Sequence, residues 1–378
     1  MRQDIFRYEP YWRKWIFSYN LEIYTLEDEP FGDLAYKVLM KEHPINGLSS
    51  PYKVQIQITN RCNFECPHCY VSSGMPLADE MTFDQIKELL VKLKEFGVLQ
   101  ITWSGGEAFS RKNFLEIVSF SHELGFENAV LTNGYAIGKV SSLKIEDLWN
   151  LFDRIQISVD GWDDNFNKWV GINNAWFFVK KAIDDLYLLK PDNKILSVTT
   201  TISEDLESWK SIAEFLDNKD IVWRIAKQVK NGRSSVNLDI TNNQTSLSFI
   251  EIENLRSLYK IKAIHPYDKT LPKDDFFPKE WHVEPGGRWY FYIKANGDVY
   301  PFPYLDGVEE FKAGNVLNDK LEEIWLSDTL NNYRTVNYNN SGCKDCPYVC
   351  NMWTRSFNIF NDGNLFATPP VHFGCPRV

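Results

Sequence analysis

The sequence predicts an α/β protein: a partial barrel of six strand-helix units followed by a smaller cysteine-bearing C-terminal unit. Three observations carry that reading. From about Val54 to Ala226, short β-branched runs alternate with longer amphipathic runs, the pattern of parallel strands joined by helical crossovers. The units number six, short of the eight that close a barrel, so an open, TIM-like (βα)6 barrel is expected. The seven cysteines form two groups: Cys62, Cys66 and Cys69 directly after the first strand, and Cys343, Cys346, Cys350 and Cys375 near the far end.

The elements follow in chain order. Residues 1–50 form an aromatic-rich extension in which Trp15, Phe17, Tyr19, Leu21 and Ile23 alternate with largely polar neighbours, the pattern of a half-buried strand. Packing onto the barrel explains it; a strand edge that accepts a peptide is the alternative. Residues 51–235 are the barrel, with strands expected at 54–59, 100–103, 129–132, 154–159, 195–201 and 222–226. The first helix opens at Thr82, with Gln85 three residues on as a reciprocal cap, and Phe83, Ile86, Leu90 and Leu93 recur at helical spacing. Further helices are expected at 113–124, 144–151, 174–189 and 205–218. Residues 236–280 are a polar, Asn-rich bridge with a helix near 250–259. In the last unit, 281–378, Asn296-Gly297 between apolar alternations predicts a hairpin, and a short helix follows at 321–326.

Composition bounds the function. The 378 residues are 44% apolar and 24% charged, ordinary for a folded chain of more than one domain. Lys and Arg number 41 against 51 Asp and Glu, and the net charge of −10 disfavours a nucleic-acid partner. No run of about 18 apolar residues occurs, and the opening Met-Arg-Gln-Asp-Ile-Phe-Arg lacks the apolar segment of a secretion signal. A cytoplasmic protein without a membrane partner is expected. An odd cysteine count then argues for metal or catalytic thiols rather than a disulfide framework.

Cys62-x3-Cys66-x2-Cys69 sets three soft ligands on one compact loop, which suits iron-sulfur chemistry. Three cysteines leave one iron of a 4Fe-4S cluster without a protein ligand. A zinc site completed by His68 is the competing reading. Further fragments stand at later strand ends: Ser104-Gly105-Gly106-Glu107, Leu131-Thr132-Asn133-Gly134 and Ser158-Val159-Asp160-Gly161.

With Tyr70 after the third cysteine, these fragments resemble the radical S-adenosylmethionine superfamily over about residues 51–235. The resemblance implies that Cys62, Cys66 and Cys69 hold a 4Fe-4S cluster whose open iron binds S-adenosylmethionine. It implies cofactor contacts from Tyr70, from the turn Gly105, Gly106 and Glu107 at the amino group, and from Asn133, Ser158 and Asp160 around the ribose. Two glycines permit close backbone approach, and a carboxylate suits an ammonium. Where many members carry Arg-Gly, this chain reads Lys168-Trp169-Val170-Gly171, so the partner of the cofactor carboxylate is open between Lys168 and Arg224. The implied chemistry is one-electron cleavage of the sulfonium to methionine and a 5'-deoxyadenosyl radical that takes hydrogen from substrate.

The segments around Gly286-Gly287-Arg288, Asn296 to Pro301, Gly314-Asn315-Val316 and Glu323-Ile324-Trp325 resemble the SPASM and twitch extensions of that superfamily. Many members have further cysteines near Pro285, at the position of Phe302 and near Trp353; here they are absent. The resemblance therefore implies one auxiliary 4Fe-4S cluster, held by Cys343, Cys346, Cys350 and Cys375, with zinc as the alternative. Three plus four uses every cysteine, which disfavours radical epimerases that quench by a spare thiol. A fully ligated cluster suits taking up an electron, and so an oxidative outcome: a cross-link, a desaturation or a decarboxylation.

The leading expectation is modification of a peptide or protein side chain, with a flavodoxin or ferredoxin as one-electron reductant. The first fifty residues look short for a complete leader-binding domain, so a separate leader-peptide recognition protein is a possible partner. The runner-up is oxidation or decarboxylation of a small molecule, such as an aminoglycoside-like sugar or a tetrapyrrole. A noncatalytic metal-binding scaffold is the third reading. His43, His122, His265, His282 and His372 are scattered, and no catalytic acid or base is assigned.

Overall fold

Strand pairing organises the computed structural model into two sheets. The structure describes residues 6–9, 14–27, 47–140, 144–202, 205–226, 228–229, 231–234, 242–264 and 285–335. The first sheet is antiparallel: β1 (Phe6–Glu9), β2 (Lys14–Tyr19) and β3 (Glu22–Glu27), in that order. The alternation expected to run through as one strand breaks at Asn20 and Leu21, whose φ values of 54° and 63° form a tight turn. Its phase also differs from expectation. Ile16 and Ser18 are the fully buried residues of β2, whereas Trp15 and Tyr19 are exposed. The outward rings stack in pairs, Phe17 on Tyr24 at 5.3 Å and Tyr8 edge-on to Trp15 at 5.7 Å.

The second sheet has ten strands, built around a parallel run. In chain order these are β4 (Lys53–Gln57), β5 (Gln100–Ser104), β6 (Glu127–Thr132), β7 (Arg154–Ser158), β8 (Ile195–Thr201) and β9 (Val222–Ala226), each beside the next. Between them lie α1 (Phe83–Glu95), α2 (Phe114–Glu123), α3 (Tyr135–Lys139), α4 (Ile145–Leu151), α5 (Asp163–Val170), α6 (Ala175–Leu188) and α7 (Leu206–Leu216). Thr82 and Gln85 form the expected reciprocal cap of α1, with bonds of 3.2 and 2.8 Å. The fold is thus the mixed α/β, parallel-sheet architecture that the sequence predicts.

The bridge contributes more than a connection. Helix α8 (Asn242–Leu258) leads into β10 (Lys262–Ile264), a seventh parallel strand beside β9. At the other edge β11 (Tyr290–Ile293) pairs in parallel with β4, then turns through Asn296-Gly297 into β12 (Asp298–Tyr300) and on to β13 (Gly314–Asn315). The C-terminal unit therefore starts as a continuation of the barrel sheet, and α9 (Leu321–Trp325) and α10 (Asp328–Thr335) follow it. Cys343, Cys346, Cys350 and Cys375 lie outside the described residues. Among the described residues no helix is long and apolar enough to cross a membrane.

Each strand of the parallel run has two unlike faces, because side chains alternate. Val54, Ile56, Ile101, Trp103, Ile155, Ile157, Val198 and Trp223 join the core shared with Leu89, Leu93, Ile117, Leu148 and Val179 of the helices. Their neighbours on the opposite face include Lys53, Gln55, Thr102, Arg154, Ser197, Thr199 and Arg224, so the interior of the open barrel is a polar lumen. The N-terminal sheet closes its floor. Ser18 donates to the Glu127 carboxylate at the start of β6, Leu21 N donates to the same group at 3.0 Å, and Gln100 donates to Ser18 at 2.7 Å. Arg7 is buried, paired with Glu9 at 3.2 Å, and donates to Ser50, to Pro51 O and to Gly97 O.

Removing Arg7 alone takes the guanidinium at 3.2 Å away from the buried Glu9 carboxylate, which keeps its bonds from Ser49 N and Oγ. Arg7→Met is expected to cost about 3 kcal/mol or more in denaturant unfolding, and Arg7→Met with Glu9→Met distinctly less, because breaking one half of a buried pair costs more than replacing both.

Candidate active site at the mouth of the barrel

The loop after β4 has almost no regular structure, so its backbone groups must find partners elsewhere. Glu80 supplies several: its carboxylate accepts from Asn60 N at 2.6 Å, Thr59 Oγ1 at 2.9 Å and Leu77 N at 3.0 Å, tying the two ends of the loop together. Cys62 N donates to Gly74 O at 2.9 Å, and Gly74 N to Asn60 O at 3.0 Å. From the side, Glu65 N donates to Val170 O at the end of α5.

The Gly-Gly-Glu turn after β5 lies directly against this loop. Gly106 N donates to Thr59 O and Glu107 N to Arg61 O, both at 2.8 Å. A Cβ on Gly106 would lie 2.5 Å from Arg61 O and 2.6 Å from Asn60 O, and one on Gly105 would lie 2.9 Å from Thr59 O. Both glycines are needed for backbone contact with the cysteine loop, independently of any cofactor. The Glu107 carboxylate is buried and accepts from Thr132 Oγ1 at 2.8 Å, Asn133 N at 2.7 Å and Phe109 N at 3.0 Å. Burial raises its pKa and those three donors lower it, with burial the larger effect. Three of about four lone-pair sites are filled, which leaves room for one further donor.

Asn133 reaches the loop by donating to Asn63 Oδ1 at 2.9 Å. Asp160 accepts from Thr201 N at 2.6 Å and faces His68 Nε2 at 3.3 Å. His68 Nδ1 accepts from Trp169 Nε1 at 2.9 Å, and the two rings stack at 5.5 Å. Both ring nitrogens of His68 are therefore engaged within the protein. Ser158 stands exposed at the end of β7, across from Thr199. Tyr70 packs edge-on to Tyr304 at 4.9 Å, next to Tyr290, whose hydroxyl donates to Gln55 at 2.8 Å. Burial pushes the Tyr70 phenol well above its ordinary range. Lys168 and Arg224 part company: Lys168 lines an outer cleft with Glu65, Pro67 and Asn165, while Arg224 lies on the lumen face of β9.

Sequence reasoning missed the segment after β9. Arg233 donates from Nε to Cys66 O at 3.0 Å and from Nη1 to Ser73 O, and its backbone N donates to Cys69 O at 3.0 Å. Gly232, at φ 59°, passes so close that a Cβ would lie 2.5 Å from Tyr70 O. The signal was present as Asn231-Gly232 beyond the last strand, and Asn231 also donates to Tyr304 O at 3.0 Å, linking the barrel to the C-terminal unit.

The thiols fit a cluster. All three are unpaired by disulfides and half-buried, and Cys62 Sγ and Cys69 Sγ each accept a backbone N–H at 3.4 Å, from Phe64 and Ser73. Among the described residues no three His, Cys, Asp or Glu side chains converge on the point that a single metal ion would occupy. Burial pushes the Cys62 thiol up to about 12 and Cys66 well above its ordinary range, so metal binding here must release protons.

Comparison with known proteins agrees with this geometry. The family model of the radical SAM superfamily matches residues 56–216, and that of SPASM, an iron-sulfur cluster-binding domain, matches residues 285–347. The sporulation killing factor maturation protein SkfB of Bacillus subtilis is 26% identical over 79% of this chain and 72% of its own length. The mycofactocin maturase MftC of Mycolicibacterium smegmatis is 26% identical over 75% of this chain and 72% of its own. Streptococcus suis SuiB, solved with S-adenosylmethionine, has the same fold, with a TM-score of 0.72 at 16% identity over 98% of this chain and 99% of that one. SuiB has also been solved bound to its precursor peptide SuiA.

Gly106→Ala is expected to displace the cysteine loop rather than unfold the barrel. Iron bound per chain after anaerobic reconstitution should fall by up to about four, the share of one cluster, while the thermal midpoint falls by only a few degrees, roughly as for about 1 kcal/mol. Full iron loading in this variant would contradict the close-approach reading.

Proposed function

Because the chain is a radical S-adenosylmethionine enzyme with a SPASM domain, we propose that it is a peptide maturase that oxidatively modifies a side chain of a peptide or protein. The single observation that carries this reading is a three-thiol loop held against the Gly-Gly-Glu turn at the carboxyl ends of the parallel strands. The maturases SkfB and MftC, similar over three quarters of the chain, support the substrate class.

In this reading residues 51–235 are the catalytic unit, 236–280 a bridge and 281–378 the auxiliary unit. Cys62, Cys66 and Cys69 would hold a 4Fe-4S cluster with one open iron, and Cys343, Cys346, Cys350 and Cys375 a second, fully ligated one. With the groups bound, the chemistry supplied is hydrogen-atom abstraction by a 5'-deoxyadenosyl radical, the surplus electron of an oxidised substrate passing to the auxiliary site. The chain's own residues orient and exclude water. Glu107 can accept one more hydrogen bond, suited to the ammonium of S-adenosylmethionine. Ser158 offers an accessible hydroxyl to the ribose, with Asn133 and Asp160 on the same rim. Tyr70, packed on Tyr304, screens the loop from solvent on the side of the C-terminal unit. A flavodoxin or ferredoxin suits the reductant, a separate protein suits leader recognition, and the cytoplasm suits both.

Anaerobic iron analysis tests the ligand sets: about eight irons per chain are expected, falling to about four when Cys62, Cys66 and Cys69 become Ala, since each cluster contributes four. The wild type under strong reductant should form 5'-deoxyadenosine and the triple variant none. Incubation with a short precursor peptide encoded beside the gene should yield a product lacking two hydrogens or carbon dioxide by mass spectrometry. Equal 5'-deoxyadenosine from the triple variant would overturn the assignment.

A further inference from the structure

The lumen carries charge beyond what the cofactor reading, which calls on Arg224 at most, would use. Three cations enter it from its walls: Lys53 from β4, Arg154 from β7 and Arg224 from β9. Each sits between residues that face the helices, Val54 beside Lys53, Ile155 beside Arg154, and Trp223 and Ile225 around Arg224, so alternation turns all three inward. Arg224 is exposed and Lys53 and Arg154 are half-buried. Loss of bulk water first, then repulsion from Arg154 and Arg224, pushes the Lys53 ammonium down to about 7. Burial and Arg224 lower Arg154 to about 10.

Among the described residues no carboxylate pairs with any of the three. The nearest acids are committed elsewhere: Glu127 to Ser18 and Leu21 on the floor, Asp153 to Lys194 and Asn128 N, and Asp160 to His68 and Thr201 N at the mouth. Hydrogen-bonding capacity is idle beside the cations. Arg154 Nε and the hydroxyl oxygens of Thr102, Ser197 and Thr199 are buried without a partner. The register sets these groups together, Thr199 directly opposite Arg224 and Ser197 on the strand between Arg154 and Arg224. A chain of net charge −10 thus gathers, among the described residues, three cations without a carboxylate partner and several unpartnered polar atoms on the strand face turned away from the helices.

Resting on the peptide reading above, we infer that the lumen selects a substrate segment bearing a carboxylate, seated on Lys53, Arg154 and Arg224 so that the anion anchors the segment below the reacting carbon. Arginine forks and serine or threonine hydroxyls are the donors that recognise a carboxylate. In a peptide that anion is an Asp or Glu side chain or the C-terminal carboxylate. Anchoring at a charged point away from the scissile bond is how binding energy is turned into orientation of one carbon-hydrogen bond.

The test uses the full reconstituted chain with S-adenosylmethionine and reads affinity by ligand-observed NMR. The probes are N-acetylglutamate α-methylamide for a side-chain carboxylate and N-acetylleucine for a terminal one, with N-acetylglutamine methylamide and N-acetylleucinamide as neutral counterparts. At least one carboxylate should bind about tenfold or more tightly than its amide, the effect of charged hydrogen bonds, and the tighter of the two identifies the source. Lys53→Met with Arg154→Met should abolish that preference, and the charge-keeping Lys53→Arg should retain it; circular dichroism checks that each is folded. Equal affinity of neutral and charged probes, tighter binding of inorganic phosphate than of either carboxylate, or an unchanged preference in the folded double variant would overturn the inference. Formation of 5'-deoxyadenosine by the wild type is scored separately. Its absence with the carboxylate preference intact would fail the maturase reading and leave the lumen assignment standing.

Discussion

Everything at the mouth depends on one constraint: an irregular loop must be held by backbone contacts too close for side chains. A strand or helix satisfies its own N–H and C=O groups, but the cysteine loop borrows partners from around it. The turn at Gly105 and Gly106 supports it from below, Gly232 and Arg233 grip it from the far end of the barrel, and Val170 O meets it from α5. Three glycines, the adjacent Gly105 and Gly106 and the distant Gly232, are fixed by the same requirement, because a methyl at any of them would overlap a carbonyl of residues 59–70. The loop is therefore placed by the whole barrel, and a group bound to its thiols inherits that placement.

The lumen obeys a different constraint. Strands of a barrel with helices outside normally fill the interior with branched apolar residues. Here the inward positions of β4, β5, β7, β8 and β9 are mostly polar or charged, so the interior is not the branched apolar core usual for such strands. Stability comes instead from the outer layer, where Trp103, Trp209 and Trp223 are fully buried between sheet and helices. The floor is sealed by a small antiparallel sheet whose inward face is itself polar, since Ser18, Arg7 and Glu9 must meet Gln100, Glu127 and the backbone at Pro51 and Gly97.

That polarity explains what the sequence could and could not reveal. The six strands, the cap at Thr82 and the hairpin at Asn296-Gly297 were legible because each is written in local signals: β-branched runs, a Thr-x-x-Gln pair, a turn dipeptide. The cysteine spacing and the fragments at strand ends were legible because chemistry demands particular residues there. The inward face of β2 was misread because aromatics were assumed to point at the barrel, whereas the floor needs hydrogen-bonding groups and takes Ser18. Strand β10 was missed because three residues opening with Lys262 carry no periodicity, and its identity comes from pairing with β9. The parallel pairing of β11 with β4 joins residues more than 200 positions apart, and no local pattern encodes it.

The residues that the motif resemblance assigns to a cofactor are, in the folded chain, already hydrogen-bonded to protein. Glu107 spans from its own turn to the end of β6, Asn133 reaches the loop through Asn63, and Asp160 links β8 to His68. The indole N–H of Trp169 donates to Nδ1 of His68, whose Nε2 faces Asp160 at 3.3 Å. Successive strand ends are thereby stitched to the segment between Cys62 and Cys69. Such a rim holds its shape before anything binds, which is the condition for preorganised recognition: the ligand need not spend its binding energy on ordering the site. Among the described residues the remaining capacity includes one lone pair on Glu107 and the hydroxyl of Ser158 at the rim, together with the three cations beneath it.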